Sequence, residues 1–431
     1  MAVACGSKNT LIVDTDGFLQ GCGSLDTLIL GSENTSGSQG LFMPVWSNTP
    51  KLRLVSMCGE NAAIVSDNGD LCLCGNATVL SSNGGHRVQR RCNWFRVNRD
   101  LLGGEAVEMV DVGVAQSTAI LTQSGSVYLL HNDCFGNLHT QYQTPDVMIR
   151  FSRDLFNNEN IVMVSMGFDH CVALSDSGNV YTWGDSDFGQ LGHNDGQPHR
   201  DPKLIPPTSF QYTPGQNEKV VFVTAFGNST MAVTEEGHLF AFGSDLYGNL
   251  GVSGMPGAPA GLKRESPTPV SSFDNSRVVM AAMGPEFSLV VTDDGALWAC
   301  GKIRRWQDTQ SHDSVIRFER VAACADVRIV TAAIGSDHWV ALTDQGDIFS
   351  FGNNDHGQTG LLPDVEKNNG LGKVTGKKAG RFVELPFENK LTFAMGTHNR
   401  LGGGQEKPET TMQSLKYLFG FWKKRYQWSR C

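Results

Sequence analysis

Val164-Ser-Met-Gly167-Phe-Asp-His170-Cys-Val-Ala-Leu-Ser-Asp176-Ser-Gly178-Asn-Val-Tyr-Thr-Trp183-Gly184 is one of seven degenerate copies of a single pattern that runs from end to end of this chain. An opening glycine stands at Gly6, Gly59, Gly113, Gly167, Gly227, Gly284 and Gly335, a second at Gly17, Gly69, Gly125, Gly178, Gly237, Gly295 and Gly346, and openings recur every 51 to 60 residues. Six copies close on a third glycine, at Gly23, Gly75, Gly184, Gly243, Gly301 and Gly352, whereas the third copy has His131 there. One such unit cannot bury its own apolar face, so a fixed period predicts stacked units. The middle glycine ends turns such as Ser175-Asp176-Ser177-Gly178, where Asp bonds the backbone ahead and Gly takes the positive φ of a hairpin loop. Flanking runs rich in strand formers, Cys171–Leu174 and Val180–Trp183, make each unit an antiparallel hairpin. No sustained helical period competes with them, the last fifteen or so residues apart.

Trp183-Gly184-Asp185-Ser186-Asp187-Phe188-Gly189-Gln190-Leu191-Gly192 resembles the signature turn of the regulator of chromosome condensation repeat family, and Phe242–Gly251 and Phe351–Gly360 are similar to it. The resemblance covers residues 1 to 401 and implies an all-β, seven-bladed β-propeller, followed by a glycine linker and a basic aromatic tail at 402–431. Radial repetition of four-stranded sheets agrees with that architecture. Leu391–His398 restates the opening half of a unit while the chain begins inside one, so residues 391–401 are expected to pair with the N-terminal strands and shut the ring.

Composition fits a folded propeller: 431 residues, 40% hydrophobic, 18% charged, with a net charge of −9. No apolar run has spanning length, and no signal for export is expected at the N-terminus. The eleven cysteines include Cys5 and Cys58, which precede opening glycines, and Cys22, Cys74 and Cys300, at the place taken elsewhere by Trp183, Phe242 and Phe351. These are core positions on separate blades, so free thiols in a reducing compartment, cytosol or nucleus, are expected.

The sequence carries no GxSxG, HExxH or CxxC motif. Gly370–Lys378 looks like a phosphate loop but has Leu371 where the first glycine belongs and Lys378 where Ser or Thr belongs. It reads as a solvated basic loop, and neither cofactor nor metal is expected. His170 and His338 share one repeat position, with His398 near the corresponding place; equivalent positions on separate blades disperse ligands. A structural hydrogen bond to backbone near a turn is the expectation for them.

Function is then expected on the loops. The segment 86–99 carries five arginines, Arg87, Arg90, Arg91, Arg96 and Arg99, interleaved with Trp94 and Phe95. It reads either as an interaction patch, Arg and Trp being enriched at interface hot spots, or as an outer strand with inward aromatics and solvated arginines. Arg304, Arg305 and Trp306 form a weaker version at the matching place in the sixth copy. The tail carries Trp422, Lys423, Lys424 and Arg425, which could dock in a partner groove, touch an anionic membrane surface, or fold back on the propeller.

The family's founding member is a guanine-nucleotide exchange factor for the small GTPase Ran that acts on chromatin; many relatives are scaffolds, and a plant branch senses ultraviolet light through tryptophans. Here Trp183, Trp298 and Trp339 lie on repeat strands, where packing explains them. The resemblance implies an interaction scaffold, with exchange on a Ras-like GTPase, most plausibly Ran type, as the alternative. Exchange would proceed without covalent chemistry, by favouring the nucleotide-free GTPase. The fourth copy lacks the family's wedge hairpin, and the loops at 76–105 and 252–270 are the candidates to replace it. Chromatin binding is disfavoured by the acidic balance and the absence of a basic arm.

Overall fold

The computed structural model describes most of residues 2–360 and a strand at 383–385. Positions 1, 15, 26–28, 31–37, 46–49, 76–77, 80–87, 90–91, 114–116, 131–147, 253–262, 272, 303–314, 361–382 and 386–431 lie outside the description. Seven antiparallel four-stranded sheets follow one another along the chain. The fourth comprises Ile161–Met166, His170–Ser175, Val180–Gly184 and His199–Leu204, paired in that order. Each sheet is one blade of a propeller, its first strand innermost.

Burial explains why the second strand of a blade does not alternate polar and apolar residues. His170–Ser175 is buried at all six positions, because both faces of that strand meet a neighbouring blade. The apolar core accordingly divides into seven clusters, one per seam. The seam between blades three and four holds Ala119, Leu121 and Leu129 with Val164, Cys171 and Trp183. The seam between blades seven and one holds Val340, Leu342 and Ile348 with Cys5 and Ile12. The ring therefore closes between the first and last blades. The expected contribution of residues 391–401 to that closure falls outside the described residues; the first sheet draws all four strands from residues 2–44 and the seventh from 329–385.

Hydrogen bonds reinforce the seams. The histidine expectation needs correcting: Nε2 of His170 and of His338 meets not a backbone group but a threonine hydroxyl on the next blade. The distances are 2.9 Å to Thr230 Oγ1 and 2.9 Å to Thr10 Oγ1. Each threonine donates its one proton to a carbonyl of the preceding blade's signature turn, Gln190 O at 2.9 Å and Gln358 O at 2.7 Å. The histidine nitrogen is then the donor, which makes the rings neutral with the proton on Nε2. On the inner strands, Asp111 accepts from Ser56 Oγ, Ser165 Oγ and the Met166 amide, each at 2.9 Å, and so ties blades two, three and four. Desolvation nevertheless raises its carboxyl pKa, against those bonds.

Burial holds the pKa of His170 and His338 down at about 3, while an unfolded imidazole titrates at about 6.5. Between those values the unfolded chain binds protons that the folded chain refuses. Stability contributed by the neutral rings is present above about pH 6.5 and is lost as the pH falls toward 3, at roughly 1 kcal/mol per pH unit per ring. At the other end, burial pushes the thiols of Cys5, Cys58 and Cys324 up to about 12. Unfolded thiols lose protons earlier, so stability falls again as the pH rises above about 9. Urea midpoints from about pH 4 to 10 are expected to trace this dome; a flat profile on the acid side would contradict the buried histidine seams.

Candidate partner-binding face

Antiparallel pairing sorts the connections onto two faces. The links from first to second strand and from third to fourth strand leave one side, here the loop face; the tight hairpins and the blade-to-blade links leave the other, the hairpin face. The signature turns are therefore all on the loop face.

Each signature turn is held by hydrogen bonds among its own residues. In blade four, Gln190 Nε2 donates to Asp185 Oδ2 at 3.1 Å, its Oε1 accepts from the Phe188 amide at 2.9 Å, and Leu191 is fully buried. Blade seven repeats this with Gln358, Asn353 and the His356 amide. In blade five Asp245 Oδ1 accepts from the Leu250 amide at 3.0 Å. A turn anchored in this way presents its tip to solvent: Asp187 and Phe188 in blade four, Leu246 in blade five and Asp355 in blade seven are exposed, with Tyr247 and His356 half-buried beside them. Fold requirements fix the anchors and leave the tips free for recognition.

Two of those tips are apolar and exposed. Six large hydrophobic side chains are exposed among the described residues. Phe18, Leu101 and Tyr212 are scattered over the hairpin face, Tyr212 being stacked on His238 at 3.9 Å. The other three, Phe188 at 43%, Leu246 at 54% and Ile316 at 45%, lie on the loop face of blades four to six. The segments that carry them adjoin. Gly189 packs on the backbone of Arg264 and Glu265, Arg264 pairs with Asp245 at 3.7 Å beside Leu246, and Gly248 packs on Ile316. Phe168, on the first-to-second strand link of blade four, lies 6.3 Å from Phe226. The patch is hard to read from the sequence because Phe188 and Leu246 sit inside motifs that serve the fold and Ile316 joins them only through the fold; the tip positions, which vary between copies while the anchors repeat, are the available signal.

The structure separates the residues singled out from the sequence. Trp94 and Phe95 lie on the outer strand Cys92–Arg96 of blade two and turn to opposite seams. Trp94 packs in the core between blades one and two and donates to Ile29 O at 3.3 Å, while Phe95 packs between blades two and three. Arg96 and Arg99 converge on Asp70, at 2.7 and 2.6 Å, so one carboxylate neutralises part of the basic patch. Arg87, Arg90, Arg91, Arg304, Arg305, Trp306, Trp422, Lys423, Lys424 and Arg425 lie outside the described residues. Replacing Trp94 with alanine is expected to cost about 2 kcal/mol of stability, read as a lowered urea midpoint; an unchanged midpoint would show that its ring contributes nothing to the seam.

One structural feature was not legible in the sequence. Thr78–Val79 and Val88–Gln89 pair as a two-stranded ribbon inserted between the third and outer strands of blade two. Among the described residues no group of three or more His, Cys, Asp or Glu side chains could hold a metal, and no helix is long and apolar enough to cross a membrane.

Seven self-closing blades, built on a glycine-registered repeat and presenting signature turns on one face, define a propeller of the regulator of chromosome condensation type. The RCC1-like domain family model matches residues 1–384, and the chain belongs to that family. The E3 ubiquitin-protein ligase HERC2 of Mus musculus is 28% identical over 364 residues, which is 82% of this chain and 7% of that ligase. The chain thus spans less than a tenth of that relative's length. The secretion-regulating guanine nucleotide exchange factor of Mus musculus is 31% identical over 204 residues, covering 46% of this chain and 42% of that protein. Among solved structures, Prp20p from Saccharomyces cerevisiae, described with its binding to Gsp1p and histones, superposes with a TM-score of 0.63 at 18% identity, covering 84% of this chain and 85% of that one. Human WBSCR16 gives 0.62 at 22%, covering 80% and 86%. At these identities the structural likeness establishes the fold.

Proposed function

We propose that this protein is a non-catalytic interaction module that binds a protein partner through the loop face of blades four to six. One observation carries this reading: among the described residues, half of the exposed large apolar side chains are Phe188 and Leu246, on turns whose anchors are hydrogen-bonded, and Ile316, near the start of the outer strand Val315–Arg320. Linked exposed apolar residues of this kind mark interaction sites, whereas single ones carry no such meaning. Family membership supports it, since fold leaves function to such grafted surfaces. Buried free cysteines support a reducing compartment, cytosol or nucleus. Quantitative affinity capture should compare wild type with Phe188→Ser/Leu246→Ser/Ile316→Ser and with a hairpin-face control, Phe18→Ser/Leu101→Ser. Loss of the principal partners in the first variant alone is expected. Equal recovery by all three proteins would overturn the reading.

A second reading, exchange on a Ras-like GTPase of Ran type, is favoured by the extra strand pair Thr78–Val79 and Val88–Gln89 inserted in blade two and by the exchange factor among the relatives. It requires that the full chain accelerate release of a fluorescent nucleotide from Ran or another small GTPase and that deletion of 79–88 abolish the acceleration. Unchanged release across a GTPase panel would remove it.

A further inference from the structure

The charges around the loop-face patch are unevenly matched. Lys302 is held by Glu286 at 3.1 Å and lies over the Tyr247 ring at 5.4 Å, while Lys263 is held by Glu265 at 2.6 Å. These two lysines, among the described residues, are thus already engaged. The carboxylates of blade four differ: Asp169, Asp185 and Asp187 form no ion pair among the described residues. Asp169 and Asp185 are neighbours, the Asp185 amide donating to Asp169 O at 2.8 Å. Burial, and then the charge of Asp185, raises the pKa of Asp169, as expected where negative charge lacks a counter-ion. Asp187 is exposed directly beside Phe188. The rim therefore combines an apolar surface with uncompensated negative charge, which repels nucleic acid and acidic peptides and attracts cations.

We propose that this rim docks a basic segment of the partner protein, one in which Lys or Arg side chains flank a single aliphatic or aromatic anchor. The anchor covers Phe188, Leu246 and Ile316, and the cations reach Asp169, Asp185 and Asp187. The proposal rests on the interaction reading above and narrows it to a partner of defined charge. Arginine suits this role best, since its guanidinium pairs with a carboxylate and its stem lies on apolar surface.

The test uses the full chain and a phage-displayed library of random peptides, followed by fluorescence-anisotropy titration of the enriched peptides. Enriched sequences should carry Lys or Arg beside a Leu, Phe or Trp and should bind more weakly at high than at low NaCl. They should lose about tenfold or more in affinity to Phe188→Ser/Leu246→Ser and to Asp169→Asn/Asp187→Asn. Unchanged melting temperatures of both variants exclude a folding defect. The proposal is overturned if no peptide is enriched, if the enriched peptides are acidic, or if the variants bind them as wild type does. Acidic or uncharged peptides that still lose affinity to Phe188→Ser/Leu246→Ser would overturn the charge assignment while leaving the interaction module standing. Self-association of the chain, lost in the same variant, would overturn it in favour of a second copy as the occupant.

Discussion

Gly184→Ala is expected to destabilise the propeller by about 3 kcal/mol or more, lowering the urea midpoint sharply while leaving the unfolded chain almost unchanged. Gly184 sits at φ +113°, a region open essentially to glycine, and an added Cβ would stand 2.2 Å from Asp169 O and 2.6 Å from His170 Cα. Neither neighbour can retreat. Both belong to the entry into the second strand, and that backbone accepts the Asp185 amide at 2.8 Å. The same crowding recurs at Gly352, with φ +118° and a Cβ position 2.3 Å from Asp337 O. Gly352→Ala should therefore cost about as much. A Gly184→Ala midpoint within error of wild type would mean that the third strand does not cross the inner link as described.

The second large effect is expected at the seam between the last blade and the first. Thr10→Val keeps the shape of the side chain and removes its hydroxyl, stranding His338 Nε2 in a fully buried setting and leaving Gln358 O with the weak Cys22 thiol donor at 3.5 Å. A buried polar group without a partner, together with a weakened carbonyl bond, costs about 2 to 3 kcal/mol. Thr230→Val removes the corresponding bonds to His170 and Gln190 between blades four and five, at comparable local cost, with Phe242 standing where blade one has the Cys22 thiol. The pair makes a controlled comparison, because one seam joins neighbours in sequence and the other joins the ends of the ring. Equal losses are expected if closure is as tight as an internal seam. A Thr10→Val midpoint equal to wild type, with Thr230→Val impaired, would mean that the ring stands open.

The architecture was legible because its determinants are local and repeated. The third glycine marks a backbone crossing at each described copy that carries it, and the hairpin turns ending in the second glycine pin the register. Contacts between blades were harder to see. The histidine partners lie one repeat away, His170 to Thr230 and His338 to Thr10, and a reading confined to one unit assigned the bond to nearby backbone instead. A cue was present: each of these histidines is followed, one blade on around the ring, by a threonine at the next position. Trp94 and Phe95 were ambiguous for a different reason. Successive residues of an outer strand face opposite seams, so neither burial nor exposure follows from composition alone. The loop-face patch stayed hidden because Phe188, Leu246 and Tyr247 were absorbed into signature turns, and Ile316 joins them only through the fold.

Central to this account is the placement of recognition on the loop face of blades four to six. A photoreactive amino acid at position 246, compared with one at position 101 on the hairpin face, tests that placement in the intact chain. Irradiation in cell extract is predicted to link the principal captured partner to position 246 and not to position 101. Linkage at 101 alone, or equal linkage at both, would contradict it.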